Sequence, residues 1–179
     1  ALTQPGTHVS DEAHADEHSL EVHLPFLQTV LGDFRLVPIV VGVCTASEVR
    51  AVIDALWGGD ETVIIVSSDL SHFHSYVEAQ QIDASTTARI EARETTLQGE
   101  EACGAYALNG LLLAAQEHDL QVRTLDVRNS GDTAGDRRRV VGYGSYALSR
   151  APRPGRYGAA ASCPRLDRAW PGAWRTPAD

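Results

Sequence analysis

The sequence has no methionine, only three cysteines, few basic side chains and no long uninterrupted apolar run. Each shortage excludes something. Lysine and arginine number 15 against 24 acids, a net charge of −9, so the basic footprint of a general nucleic-acid binder is missing. No apolar stretch approaches the roughly 20 residues of a transmembrane helix, and no part of the sequence as given reads as a signal peptide. Cys44, Cys103 and Cys163 are odd in number and far apart. They make no disulfide framework, and a reducing, cytoplasmic compartment is expected. The absence of methionine, with an opening at Ala1-Leu2-Thr3, leads us to expect a further segment ahead of Ala1.

What remains is ordinary globular composition. The 179 residues are 43% hydrophobic and 22% charged, enough for one domain with a real core. The stretch that organises it is Thr62–His74. Val63-Ile64-Ile65-Val66 is a short β-branched run, suited to a strand buried on both faces. The chain then turns polar at Ser67, Ser68, Asp69, Ser71, His72 and His74. Sites in open α/β sheets lie beyond the carboxyl ends of strands. A carboxylate and an imidazole three residues apart there are candidate acid/base or ligand groups. Ser68 and Asp69 equally suit a cap on the following helix.

Residues 1–16 are polar and read as a loop. Leu20, Leu24, Leu27 and Leu31 then recur on one helical face, with Pro25 marking a kink or the true start and Gly32 the end. Phe34–Gly42 reads as a second apolar strand, with Pro38 favouring an edge. Ala46–Leu56 is an amphipathic helix with Val49, Val52, Ile53 and Leu56 inward. A long polar helix is expected over Tyr76–Arg93 and an apolar one over Tyr106–His118. Gln121–Arg128 and Arg139–Leu148 read as strands around the turn-rich loop Asn129–Asp136. The alternation predicts an α/β fold with a mostly parallel sheet flanked by helices. The domain is expected over residues 1–149. From Arg150 to Asp179, arginine, proline, alanine and glycine follow one another without periodicity, which predicts a tail without regular structure.

Several side chains are candidates for chemistry. His14 and His18 are four apart and would face one metal if both lay on a helix, although the polar surroundings of His14 suit a solvated stretch better. His72 and His74 point to one side if the chain is extended there. Cys103 lies just before an apolar helix, where a thiol is easily ionised and suits metal ligation or nucleophilic work. Inert packing is the commoner fate of a lone cysteine, and Cys44 reads as structural. Asp132 and Asp136 lack calcium-loop spacing and suit turns.

Four stretches stand in a recognisable order: Glu17-His18-Ser19-Leu20-Glu21-Val22-His23-Leu24-Pro25-Phe26, Ser67-Ser68-Asp69-Leu70-Ser71-His72, Ala102-Cys103-Gly104, and Asn129-Ser130-Gly131-Asp132-Thr133-Ala134-Gly135-Asp136. Together they resemble the Memo family, whose prokaryotic members are called AmmeMemoRadiSam system protein B. The resemblance spans about residues 9–148. It implies a fold like that of the class III extradiol ring-opening dioxygenases, here incomplete at the N-terminus. It implies a metal site of two histidines and a cysteine, with His18 and Cys103 as metal ligands. By the same resemblance His72 is the acid/base and Asp69 lines its pocket. The family's first histidine ligand belongs to a Pro-His-Ala-Gly motif that nothing here matches. An N-terminally truncated chain is therefore expected, holding iron or copper weakly on two ligands.

Three functions follow as expectations. One is a non-haem iron or copper pocket with redox or dioxygenase-like chemistry. Another is a non-enzymatic binding or regulatory module recognising a peptide or protein partner. The third is an inactive truncated copy. The expected ligand is a small molecule or peptide, with AMMECR1-like and radical-SAM proteins as partners. None of the three involves nucleic acid or a membrane.

Overall fold

The computed structural model describes residues 4–133 and 135–151. The elements run α1 (Asp11–Ala15), α2 (Leu24–Leu31), α3 (Ala46–Leu56), β1 (His72–His74), α4 (Tyr76–Glu91), α5 (Ala105–Glu117), β2 (Leu120–Asn129), a 3-10 turn (Ser130–Asp132) and β3 (Val140–Arg150). Local chemistry accounts for several boundaries. Thr45 and Glu48 form a reciprocal capping box at the start of α3. Pro25 sits in the first turn of α2, where its missing N–H costs nothing. Gly32 follows the end of α2 at φ 66°.

The sheet is small and antiparallel, in the order β1-β3-β2. This corrects the expected mostly parallel sheet. β2 and β3 are joined by residues 130–139, too few for the crossover of about a dozen or more residues that a parallel pair needs. Their register runs from Leu120 opposite Arg150 to Asn129 opposite Gly142, with an irregularity between Thr124 and Asp126. β1 pairs with β3 through His72–Val141 and His74–Val140.

The two apolar runs expected as central strands lie outside this ladder. Phe34–Gly42 and Val63–Val66 carry no strand assignment and, among the described residues, make no backbone ladder with one another. Nor are they buried on both faces. Ile64 and Val66 pack inward, whereas Val63 is 65% exposed and Ile65 45%. In the first run Val41 packs inward, while Leu36, Val37 and Val40 remain open.

The core has two parts, with α5 between them. One gathers Leu70, Ile90, Leu97, Ala102, Ala105, Leu108 and Leu112, covered by Val66, Val122 and Tyr146. The other joins Val49 and Ile53 of α3 to Ala114 of α5, with Val41, Cys44, Trp57, Ile64 and Leu111 against them. Cys44 is thus structural, and burial raises its thiol pKa. An α5 that is apolar nearly all round is the form such a central helix must take. No helix among the described residues is long and apolar enough to cross a membrane. Of the tail expected over Arg150–Asp179, Arg150 is the last residue of β3, and residues 152–179 lie outside the described residues.

Candidate metal centre

The 67–72 loop follows the Val63 run and docks on the N-terminus of α5. Two backbone donors at the start of α5 hold it there, and one hydrogen bond within the loop supports them. The Gly104 N–H donates to Ser68 Oγ at 2.9 Å, and Ser68 Oγ donates to the Asp69 carbonyl at 2.7 Å. The Cys103 N–H reaches that same carbonyl at 3.3 Å. Gly104 permits the approach, since a Cβ there would lie 2.8 Å from the Ser67 carbonyl oxygen. Ser68 therefore satisfies a donor at the start of α5, and not of α4, whose N-cap residue is Ser75.

This docking gathers three donors. One ligand atom each from Asp69, His72 and Cys103 lies within 4.8 Å of the others. The Asp69 N–H donates to Cys103 Sγ at 3.2 Å and so fixes where the sulfur points. Asp69 Oδ2 and His72 Nε2 are 3.5 Å apart. The pocket is shallow: the His72 side chain is 30% exposed and that of Asp69 46%. Cys103 is exposed.

β1 sets the direction of His72. Its neighbour Phe73 has φ 63°, a left-handed conformation strained by about 1–3 kcal/mol for a bulky residue. The ring lies edge-on to His72 at 5.7 Å, and the Arg139 guanidinium covers it at 4.7 Å. The ladder to β3 and this cation–π contact, about 0.5–1 kcal/mol, offset the strain. His74 departs from the group and pairs with Glu78 at 3.2 Å.

His18 stands outside the gathered donors and is exposed. It also lies beyond the end of α1 at Ala15, so His14 and His18 do not share a helical face. The Glu17 carboxylate accepts the backbone N–H groups of Ser19 and His18, which holds its pKa down. This segment is nonetheless tied to the site loop. Ser67 Oγ donates to the Ser19 carbonyl at 3.0 Å and meets His23 Nε2 at 3.0 Å. The role of His23 was not foreseen from sequence; its only signal is its place in the Glu-Val-His-Leu-Pro-Phe stretch. Asp132 and Asp136 serve turns, as expected. Asp132 accepts the Asn129 N–H and the Tyr76 hydroxyl, and Asp136 pairs with Arg138, which takes its pKa to about 2.

Comparison with known proteins settles the family. A profile described as Memo-like protein matches residues 3–147. The chain belongs to the Memo family. It is 35% identical over 144 residues to a MEMO1 family protein of Thermoplasma acidophilum, covering 75% of this chain and 54% of the relative. Against MEMO1 family proteins of Aeropyrum pernix and Methanosarcina acetivorans the identity is 36% over 146 and 149 residues. These alignments cover 74% and 75% of this chain, and 52% and 56% of the relatives. This Memo-family chain thus spans about half the length of the curated relatives it matches. Asp69, His72 and Cys103 all fall within the matched region.

Proposed function

We propose that this Memo-family pocket holds a first-row transition metal on Cys103, His72 and Asp69. The observation that carries the reading is the convergence of a thiol, an imidazole and a carboxylate within 4.8 Å. A metal about 2.0–2.3 Å from each donor would separate the donors by about 3–4 Å, so a contraction of about 1 Å completes the set. Sulfur with nitrogen favours zinc, copper or iron over magnesium or calcium. Three protein donors leave a position free for a substrate.

Iron or copper on these residues would supply Lewis-acid and one-electron redox chemistry, the basis of the dioxygenase-like activity suggested by family resemblance. The chain's own groups have definable work. The Asp69 N–H orients the Cys103 sulfur toward the pocket. Docking on α5 fixes the spacing of the loop from the thiol. Phe73 and Arg139 form an exposed aromatic and cationic wall beside His72.

The Asp69–His72 contact favours a second assignment within the same pocket. A carboxylate beside an imidazole orients it for proton transfer. His72 is then the acid/base and the metal rests on Cys103 and His18. Cobalt(II) titration of the whole chain separates the two, read by the sulfur-to-cobalt charge-transfer band. If His72 is a ligand, His72→Ala weakens binding at least tenfold and His18→Ala changes little. If His72 is the acid/base, the two results exchange. A wild-type chain that develops no such band, or a Cys103→Ser variant that binds equally well, overturns both.

A further inference from the structure

Helix α4 buries one stripe: Ala79, Asp83, Thr86 and Ile90, spaced four, three and four. Asp83 is the anomaly in it. Its residue is only 2% exposed, and among the described residues no cation pairs with it. Burying a carboxylate without a counter-charge is costly, and an apolar residue would serve packing better.

Two of the carboxylate's contacts belong to the site's support. Oδ1 accepts the buried Ser71 N–H at 3.0 Å. Its other side abuts Gly142 of β3, where a Cβ would lie 2.1 Å from Oδ2. Only glycine leaves room for Asp83. Gly142 in turn grips the same loop: the Leu70 N–H donates to the Gly142 carbonyl at 2.9 Å, and the Gly142 N–H to the Ser71 carbonyl at 2.8 Å. Leu70 and Ser71, 2% and 0% exposed, are thus clamped between α4 and β3. The residues on either side of the clamped pair are Asp69 and His72.

We infer that Asp83 is a positioning residue: through Ser71 and Gly142 it sets the backbone that aims Asp69 and His72 at Cys103. The inference rests on the metal-binding reading for its functional consequence, but not for its geometry. Without an acceptor at position 83, the Ser71 N–H is a buried donor with no partner, and the loop must move to satisfy it. A movement of about half an ångström is enough to loosen a preorganised donor set.

The test uses the whole chain. Asp83→Ala should bind cobalt(II) at least tenfold more weakly than wild type. Asp83→Asn, which keeps shape and acceptor, should bind within threefold of it. In a His72→Ala background, Asp83→Ala should add a smaller loss than it causes in wild type, because only Asp69 is then left for the clamp to aim. Should Asp83→Ala fail to fold, Asp83→Glu carries the same prediction, being one methylene too long for the gap. Unchanged affinity in Asp83→Ala, or equal losses in both backgrounds, overturns the inference. Amide hydrogen exchange judges the clamp separately from the metal. The Ser71 amide should exchange at least tenfold faster in Asp83→Ala while the Leu112 amide in α5 is unchanged. If wild type binds no cobalt, the metal reading falls and this measurement alone decides. Uniform acceleration, or none at Ser71, sinks the clamp.

Discussion

Adding one methyl group at Gly104 tests the docking of the site loop on α5. The backbone there has φ −88°, so Gly104→Ala carries no left-handed strain. The Cβ would lie 2.8 Å from the Ser67 carbonyl oxygen, 2.8 Å from Ser68 Cβ and 3.0 Å from Ser68 Oγ. Ordinary carbon contacts lie at about 3.5–4.0 Å, so the loop must retreat. Overpacking of this kind costs about 1–3 kcal/mol. The retreat also weakens the Gly104–Ser68 hydrogen bond, a further loss of about 1 kcal/mol. A total near 3 kcal/mol lowers the melting temperature by roughly 6–12 °C in a domain of this size. The same retreat carries Asp69 and His72 away from Cys103, and cobalt affinity should fall about tenfold. Gly99→Ala is the control, because nothing lies within 4 Å of its added carbon. Thermal denaturation followed by circular dichroism, with cobalt titration of each variant, gives both readouts. A Gly104→Ala protein that melts within about 2 °C of wild type and binds cobalt normally would refute the docking argument.

Two further expectations follow. Asp54 on α3 accepts from the ring of His118, just past α5, at 2.8 Å and also pairs with Arg50; the His118 hydrogen bond is the main reason its pKa is lowered. Its stabilising contribution is complete above the unfolded aspartate value near 3.9 and is lost as pH falls through the lower folded value. Urea midpoints should favour wild type over Asp54→Asn at pH 6 and converge below about pH 4; a constant gap down to pH 2.5 contradicts this. Along the apolar run, Ile64→Ala should cost about 2 kcal/mol and Val63→Ala less than about 0.5, since only Ile64 packs on the α3–α5 cluster. Equal costs in denaturant melts would mean the run is buried on both sides.

Much of the fold was legible in the sequence. Helix α3 matches its expected limits, and α4, α5, β2 and β3 differ from theirs by a residue or two. Their periodicity is set locally, by the residues that form them. The Phe34 and Val63 runs were misread for a physical reason. A β-branched apolar run is compatible with a fully buried strand, but a strand exists only where a neighbour completes its ladder. Composition cannot report that neighbour. The site divided in the same way. Asp69, His72 and Cys103 could be named from their motifs, and their meeting follows from hydrogen bonds between segments over 30 residues apart. Asp83 was invisible because a lone aspartate in a polar helix normally faces water. Its spacing from Ala79, Thr86 and Ile90 was the available signal.

The order in which the strands pair has a consequence for biosynthesis. β1 pairs with β3, the last strand of the described residues. The loop carrying Asp69 and His72 obtains its backbone partners from Gly142 of that strand. On a ribosome, Cys103 emerges long before Gly142 does. During that interval the thiol and the loop can meet, but nothing from β3 holds the loop in place. Contacts between distant parts of a chain form late, after the entropy of closing the intervening segment has been overcome. The group formed by Asp69, His72 and Cys103 is therefore assembled only after β3 has been synthesised, and on the proposed metal-binding reading capture follows that step.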